Sequence, residues 1–233
     1  MIKSLTMQAD ALSRIIQKRQ TIYAFLKGVY EKELPKKFLA EMPGKMKPLL
    51  TIAGAFPNAE TRQVVKEFVQ FTDTIPSQDL DDLDIRLAAD YARLFLSTGK
   101  VPPHPSESVY REGTLMQFSR DEVLKTYWSF GVDKKKEFTE PEDHIAVELN
   151  FLMYLGEKAI EALKNGDAKE ARRYIQGQKD FLEGHLVKWV PKLVKDILST
   201  AQTPFYKAIA VLTKEYIEMD LSATEDLLEQ LRG

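Results

Sequence analysis

The densest run of residues able to do chemistry is Glu140-Pro141-Glu142-Asp143-His144-Ile145-Ala146-Val147-Glu148, with four carboxylates and an imidazole in nine positions. On a 3.6-residue repeat Glu140, His144, Glu148 and Phe151 share one stripe, and Ile145, Leu149, Leu152 and Ile160 share another. The second stripe is a core face; the first presents carboxylates, an imidazole and a ring. One reading is local: the proline opens a helix, Glu140 and Glu142 cap it, and His144 pairs with Glu148 one turn on. The other is recognition, because a carboxylate face selects guanidinium groups. A metal could bridge His144 and Glu148, but the other two histidines, His104 and His185, lie far away in sequence. No His-x-x-x-His pair exists to complete such a site.

Catalytic readings find little support. The acids could do general acid–base work, yet acidic pairs at capping positions are common in helical proteins. There is no Gly-x-Ser-x-Gly elbow and no Gly-x-x-x-x-Gly-Lys-Ser/Thr phosphate loop. The absence of cysteine removes thiolate nucleophiles, disulfides, zinc–thiolate sites and Cys-ligated iron–sulfur clusters. The expectation is a chain that is not an enzyme and carries neither metal nor cofactor. A binding surface fits better. Tyr91 and Phe95, four apart, end a helix that runs into Pro102, Pro103 and Pro105. An aromatic and proline-lined groove beside an acidic helix start would suit an apolar peptide with arginines at one end.

The elements that must position these residues read as helices nearly throughout. Leu12, Ile15, Ile16, Arg19, Ile22, Tyr23 and Leu26 mark one face of a helix from about Leu5 to Gly28. Val64, Val65, Phe68, Val69 and Phe71 define another after Asn58, and Leu80, Leu83, Leu87, Tyr91, Leu94 and Phe95 a third, with Asp79, Asp81, Asp82 and Asp84 in its first turns. Ser119-Arg-Asp-Glu122, Asp167-Ala-Lys-Glu170 and Ser222-Ala-Thr-Glu225 have the spacing of capping boxes, and Thr203-Pro204 that of an N-cap followed by proline. Asn165-Gly166 closes one helix just before Asp167 opens the next, which predicts an antiparallel pair. Pro191 predicts a kink or break. Thr98 to Phe118 and Gly131 to Glu140 read as loops, the second carrying Lys134, Lys135 and Lys136. Tyr110, Tyr127, Trp128 and Trp189 are expected in the core along with Tyr91 and Phe95. The expected fold class is all-α, with about nine or ten helices.

Composition narrows the setting. The 233 residues hold 33 Lys+Arg and 35 Asp+Glu, so the formal charge is −2, without the basic excess of a nucleic-acid binder. The N-terminal residues lack the basic-then-apolar run of a secretory signal, and no apolar stretch approaches the roughly 20 residues that span a bilayer. A soluble, cytoplasmic protein with no stable membrane insertion is expected.

Three ordered segments then carry a resemblance. Tyr91-Ala-Arg-Leu94-Phe95, Val101-Pro-Pro-His-Pro-Ser-Glu-Ser-Val-Tyr110 and Glu140-Pro-Glu-Asp-His144, followed by Phe181-Leu-Glu-Gly-His-Leu-Val-Lys-Trp-Val-Pro191 and Thr203-Pro-Phe-Tyr-Lys-Ala-Ile209, together resemble the TorD/DmsD/NarJ family. The likeness runs from about Leu80 to Asp220. These are redox enzyme maturation proteins, chaperones of molybdoenzymes exported by the twin-arginine pathway. The resemblance implies a two-lobed helical bundle, here an N-terminal lobe over 1–130, a hinge over 131–140 and a C-terminal lobe over 141–233, or one compact unit. It implies a monomer or a domain-swapped dimer. The implied partners are the twin-arginine leader and the catalytic subunit of a molybdoenzyme. The implied peptide-binding residues are Tyr91, Leu94, Phe95, Pro103, Ser108, Tyr110, Asp143 and His144, to which the acidic stripe adds Glu140 and Glu148. Many relatives have Trp where Tyr91 stands and Gly-Pro after the Leu-Phe pair, where this chain has Leu96-Ser97-Thr98-Gly99, which implies a leader pocket of different shape. Two other functions stand beside this one: a GTP-binding or hydrolysing assembly factor, and a helical adaptor for an unrelated partner.

Overall fold

A computed structural model describes residues 2–46, 54, 56, 58–96, 103–133 and 139–232. Lys134–Lys136, the centre of the expected hinge, and Pro102 of the proline-rich loop lie outside the described residues. Ten α-helices follow in order: α1 (Ile2–Glu31), α2 (Lys36–Lys45), α3 (Ala59–Thr74), α4 (Leu80–Phe95), α5 (Glu107–Glu112), α6 (Phe118–Ser129), α7 (Ile145–Lys164), α8 (Ala168–Phe181), α9 (Val187–Thr200) and α10 (Pro204–Gln230). A 3₁₀ turn (Ile75–Ser77) follows α3, and a π turn (Leu182–Leu186) joins α8 to α9 without a break, making nine rods among the described residues. No helix of the described residues is long and apolar enough to cross a membrane.

The predicted helices form, and one of the three predicted capping boxes, that of Asp167, is made. Asn58 accepts from the Glu60 amide at 2.9 Å, and Asp79 from Asp81 at 2.8 Å. Asp167 accepts from the Glu170 amide at 2.9 Å. The other two capping boxes do not form. Helix α6 begins at Phe118 with Gln117 before it, and the Ser119 hydroxyl goes instead to Glu112 at 2.6 Å. Ser222 lies inside α10, which runs on unbroken. Pro191 neither breaks nor ends its helix: it lies within α9, and the irregularity is the π turn one turn earlier. The stretch read as a loop before Phe118 contains α5. Trp128 is not core; it is 58% exposed.

The chain divides into two compact units, each taking pieces from both ends: Met1–Lys27 with Ser106–Trp189 and Ile217–Gly233, and Gly28–Pro105 with Val190–Tyr216. They do not coincide with consecutive stretches 1–130 and 141–233, because α1, α9 and α10 each contribute to both. In the first unit Leu12 and Ile16 of α1 pack with Ala159 and Leu163 of α7, Ala171 and Ile175 of α8, and Leu227, Leu228 and Leu231 at the C-terminal end. Beside this apolar cluster Arg19 is buried with its guanidinium on Asp220, at 2.5 Å from Nε and 2.7 Å from Nη2, and on Gln178 at 2.9 Å. Tyr23 donates its hydroxyl to the same carboxylate.

Gly177 of α8 has the Phe130 ring where a Cβ would stand, well inside van der Waals contact. Gly177→Ala therefore overpacks this contact, a penalty of about 1–3 kcal/mol that outweighs the roughly 1 kcal/mol helix preference for Ala. A lower urea midpoint for that variant is the expected result.

The second unit is built around rings. Tyr91 and Phe95 of α4 meet edge to face at 5.2 Å between centroids, Tyr30 lies 5.6 Å from Phe95, and Tyr206 lies 5.9 Å from Phe95. The start of α10 is fixed from a distance. Buried Asp90 of α4 accepts from the amides of Gln202 at 3.1 Å and Thr203 at 2.8 Å, and from the Thr203 hydroxyl at 2.7 Å. Thr203 thus donates its side chain to Asp90, and a carboxylate 113 residues earlier holds the amides before the helix.

Candidate functional site

The same device recurs in the first unit and builds its polar centre. Ser106, which precedes α5, provides no side-chain cap for that helix. Asp143 does so instead: Oδ2 accepts from the Ser108 amide at 2.8 Å, and its carbonyl accepts from the Glu107 amide at 2.9 Å. An antiparallel bridge between Ser106 and His144 continues this pairing. His144 is itself the N-cap of α7, its Nδ1 accepting from the Ala146 amide at 3.1 Å, while its own amide closes a turn onto the Pro141 carbonyl. Glu140-Pro-Glu-Asp-His144 is therefore the turn before a helix, with the helix starting four residues after the proline. Glu142 takes Arg120 at 2.6 Å, and its carbonyl accepts the Tyr127 hydroxyl at 3.0 Å.

This arrangement drives Glu107 of α5 and Glu148 of α7 inward beside Asp143, and all three residues are 0% exposed. Glu107 is compensated by Arg111 at 2.8 Å and by His185 of the π turn at 2.8 Å. Glu148 accepts only from the Trp189 indole, at 3.1 Å. Its second oxygen and the Oδ1 of Asp143 receive no hydrogen bond from a donor, while the Glu148 carboxyl lies within hydrogen-bond reach of Glu107. Burial, then the charges of Glu107 and Asp143, push the Glu148 carboxyl well above the ordinary carboxylate range, against the smaller opposing effect of the indole. Burial likewise raises Asp143, partly opposed by Ser108 and reinforced by the Glu107 charge. Tyr127, among the same acids, is raised by burial and then by Glu148 and Asp143. Their neutral forms are favoured because a desolvated charge without a close cation is expensive.

The expected site residues fall in both units. Tyr91, Leu94, Phe95 and Pro103 belong to the second, where all four are buried and the rings are part of the aromatic core. Ser108, Asp143, His144 and Glu148 come together in the first, also buried. Tyr110 is half-buried, stacked on Trp189 at 5.7 Å. Glu140 is the accessible acid, 43% exposed at its side chain and 3.9 Å from His144. His144 and Glu148 do not pair as the local reading had it: His144 caps the helix and Glu148 faces Trp189. Glu107, Arg111 and His185 were missed. His185 and Trp189 stand four apart in Phe181-Leu-Glu-Gly-His-Leu-Val-Lys-Trp189, so helical spacing already placed an imidazole and an indole on one face.

What the cluster can do follows from its charge state. Desolvated carboxyls with unused oxygens, closed under a six-residue helix, would welcome a guanidinium and exclude an anion. The chain is similar to several known proteins. The sequence profile described as Nitrate reductase delta subunit matches residues 57–195. Chaperone protein TorD of Vibrio parahaemolyticus is 30% identical over 206 residues, covering 88% of this chain and 93% of that protein. The Vibrio cholerae protein of the same name is 28% identical over 92% of this chain and 95% of its own length. That of Photobacterium profundum is 29% identical, with 88% and 93% covered.

Proposed function

The chain belongs to the nitrate reductase delta subunit family, and relatives similar to it along nearly their whole length are named as chaperones; from that premise we propose that it is a cytoplasmic chaperone gripping the twin-arginine leader of a molybdenum-cofactor oxidoreductase subunit until the enzyme is assembled for export. The observation that carries this reading is the buried trio Glu107, Asp143 and Glu148, with two carboxyl oxygens that no donor reaches. Such a group destabilises the closed form, and a pair of arginines is the complement that relieves it. Ser108, Asp143 and Glu148 have no accessible surface as the chain stands, so binding requires α5 to lift away from the Asp143 turn. Lifting it breaks the bonds of two α5 amides to Asp143 and the bridge at Ser106, together with the side-chain bonds Glu107–His185, Glu112–Ser119 and Arg111–Glu122. Tyr110, stacked on Trp189, moves with α5 and would offer its ring to the apolar part of the leader.

Titration of the full chain with synthetic leaders from the molybdoenzyme subunits of the same genome tests the proposal. At least one leader binds, and its Arg-Arg→Lys-Lys version binds tenfold or more weakly, because ammonium groups cannot form the two-pronged contact of guanidinium with carboxylate. Failure of every leader to bind overturns the proposed function. Equal binding of the two versions overturns the role given to the carboxylates.

A further inference from the structure

The outer side of the same unit carries an open pocket of about 350 Å³ along α6 and the π turn, lined among others by Phe118, Glu122, Lys125, Gly184, His185 and Lys188. Its charge pattern is opposite to that of the buried trio. Lys125 and Lys188 are both exposed. Neither has an acidic partner among the described residues; Lys125 lies only over the Phe118 ring, 5.8 Å from its centroid. Glu122, the acid on the wall, is engaged by Arg111 at 3.2 Å, so its charge is compensated from behind. His185 forms part of the wall. Its Nδ1 is tied to buried Glu107 at 2.8 Å, which fixes the ring against the wall. The π turn helps to present it: the wider turn carries an extra residue, a distortion often found at functional sites. Gly184, next to it, leaves the space at its missing Cβ open.

From this geometry we propose that the pocket is a binding site for a carboxylate, presented by an acidic segment of a polypeptide or by a free organic acid. The oxygens lie between the ammonium groups of Lys125 and Lys188, beside the His185 ring. Glu107 behind the ring orients it, as a carboxylate orients a histidine in many sites. Phe118 supplies an apolar contact to the carbon chain beside the acid. This site requires no opening of α5 and does not rest on leader binding. It prefers ligands of the charge that the buried trio excludes.

Titration of the full chain with succinate and with an acidic hexapeptide, followed by NMR of the His185 ring nitrogens, provides the test. Saturable binding of either probe is expected, with a shift at the His185 ring. The double variant Lys125→Ser/Lys188→Ser weakens it at least tenfold while its melting curve stays unchanged, both side chains being exposed. Binding of succinate assigns the site to free acids, and binding of the peptide alone assigns it to a polypeptide. The proposal is overturned if neither probe moves the His185 ring, if the double variant binds like the parent, or if a lysine hexapeptide binds as well as the acidic one.

Discussion

Asp220→Ala lowers the thermal midpoint by on the order of 10 °C. Arg19 is buried, and Asp220 receives both its Nε and its Nη2. Removing the carboxylate leaves a desolvated guanidinium with Gln178 as a neutral acceptor, and it also strips the Tyr23 hydroxyl of its acceptor. Breaking a buried pair from one side costs about 3–5 kcal/mol, a large part of the 5–15 kcal/mol that holds a typical domain together. For a chain of this size each kcal/mol moves the midpoint by about 2–4 °C. The pair itself is not the source of stability. Arg19→Met with Asp220→Leu should recover most of the loss, because two apolar side chains of similar volume avoid the desolvation altogether. Calorimetry of the three proteins decides the matter. A loss below 1 kcal/mol for the single variant would mean that Arg19 reaches water.

Glu148→Gln has the opposite sign. The carboxyl of Glu148 is pushed upward by burial and by its acidic neighbours, so the folded state holds a proton that the unfolded chain gives up. The stabilising effect of that proton is complete below the ordinary glutamate value and fades as pH rises toward the folded one. A glutamine has nothing to lose. Its carbonyl still accepts the Trp189 indole, and its amide can donate toward Glu107. The variant should therefore gain at least about 1 kcal/mol at pH 8, several degrees in midpoint, and its stability should fall less between pH 5 and pH 8. Under the proposed function it should also bind the twin-arginine leader more weakly, having lost a charge that a guanidinium would use. Higher stability with lower affinity separates a receptor group from a merely structural one. An unchanged slope of midpoint against pH would place the Glu148 proton elsewhere.

The fold was legible where its cause is local. Hydrophobic spacing located α1, α3, α4 and α7, and Asp167 caps α8 because the chain does turn at Asn165-Gly166. The same spacing misled at Ser119 and Ser222. A capping box needs a chain end to satisfy, and at Ser222 the apolar contacts of Ile217, Leu227 and Leu228 carry the helix straight through. Pro191 misled for a related reason, since packing of Trp189, Val190, Leu193 and Val194 holds the helix together across the missing amide. The two capping aspartates were beyond reach. Asp143 serves an amide 35 residues earlier, and Asp90 serves amides more than a hundred residues later. Nothing in a single sequence announces such a pairing. Asp143 and His144 were picked out, but as members of an open acidic face. The structure makes them the clamp and cap around a closed one, with Glu107 supplied from α5.

The most direct test of the central claim, that two leader arginines are received by carboxyls kept protonated through burial, counts protons during binding. The leader should be titrated into the full chain by calorimetry at pH 6 to 7, in buffers of different ionisation enthalpy. A guanidinium beside Asp143 and Glu148 favours their charged forms and lowers the raised values. Binding should then release protons, and affinity should rise with pH until both groups are ionised in the free protein. Glu148→Gln should diminish the release. Binding with no proton released, or with proton uptake, would contradict the account, because the arginines would then be held by groups already charged in the free chain.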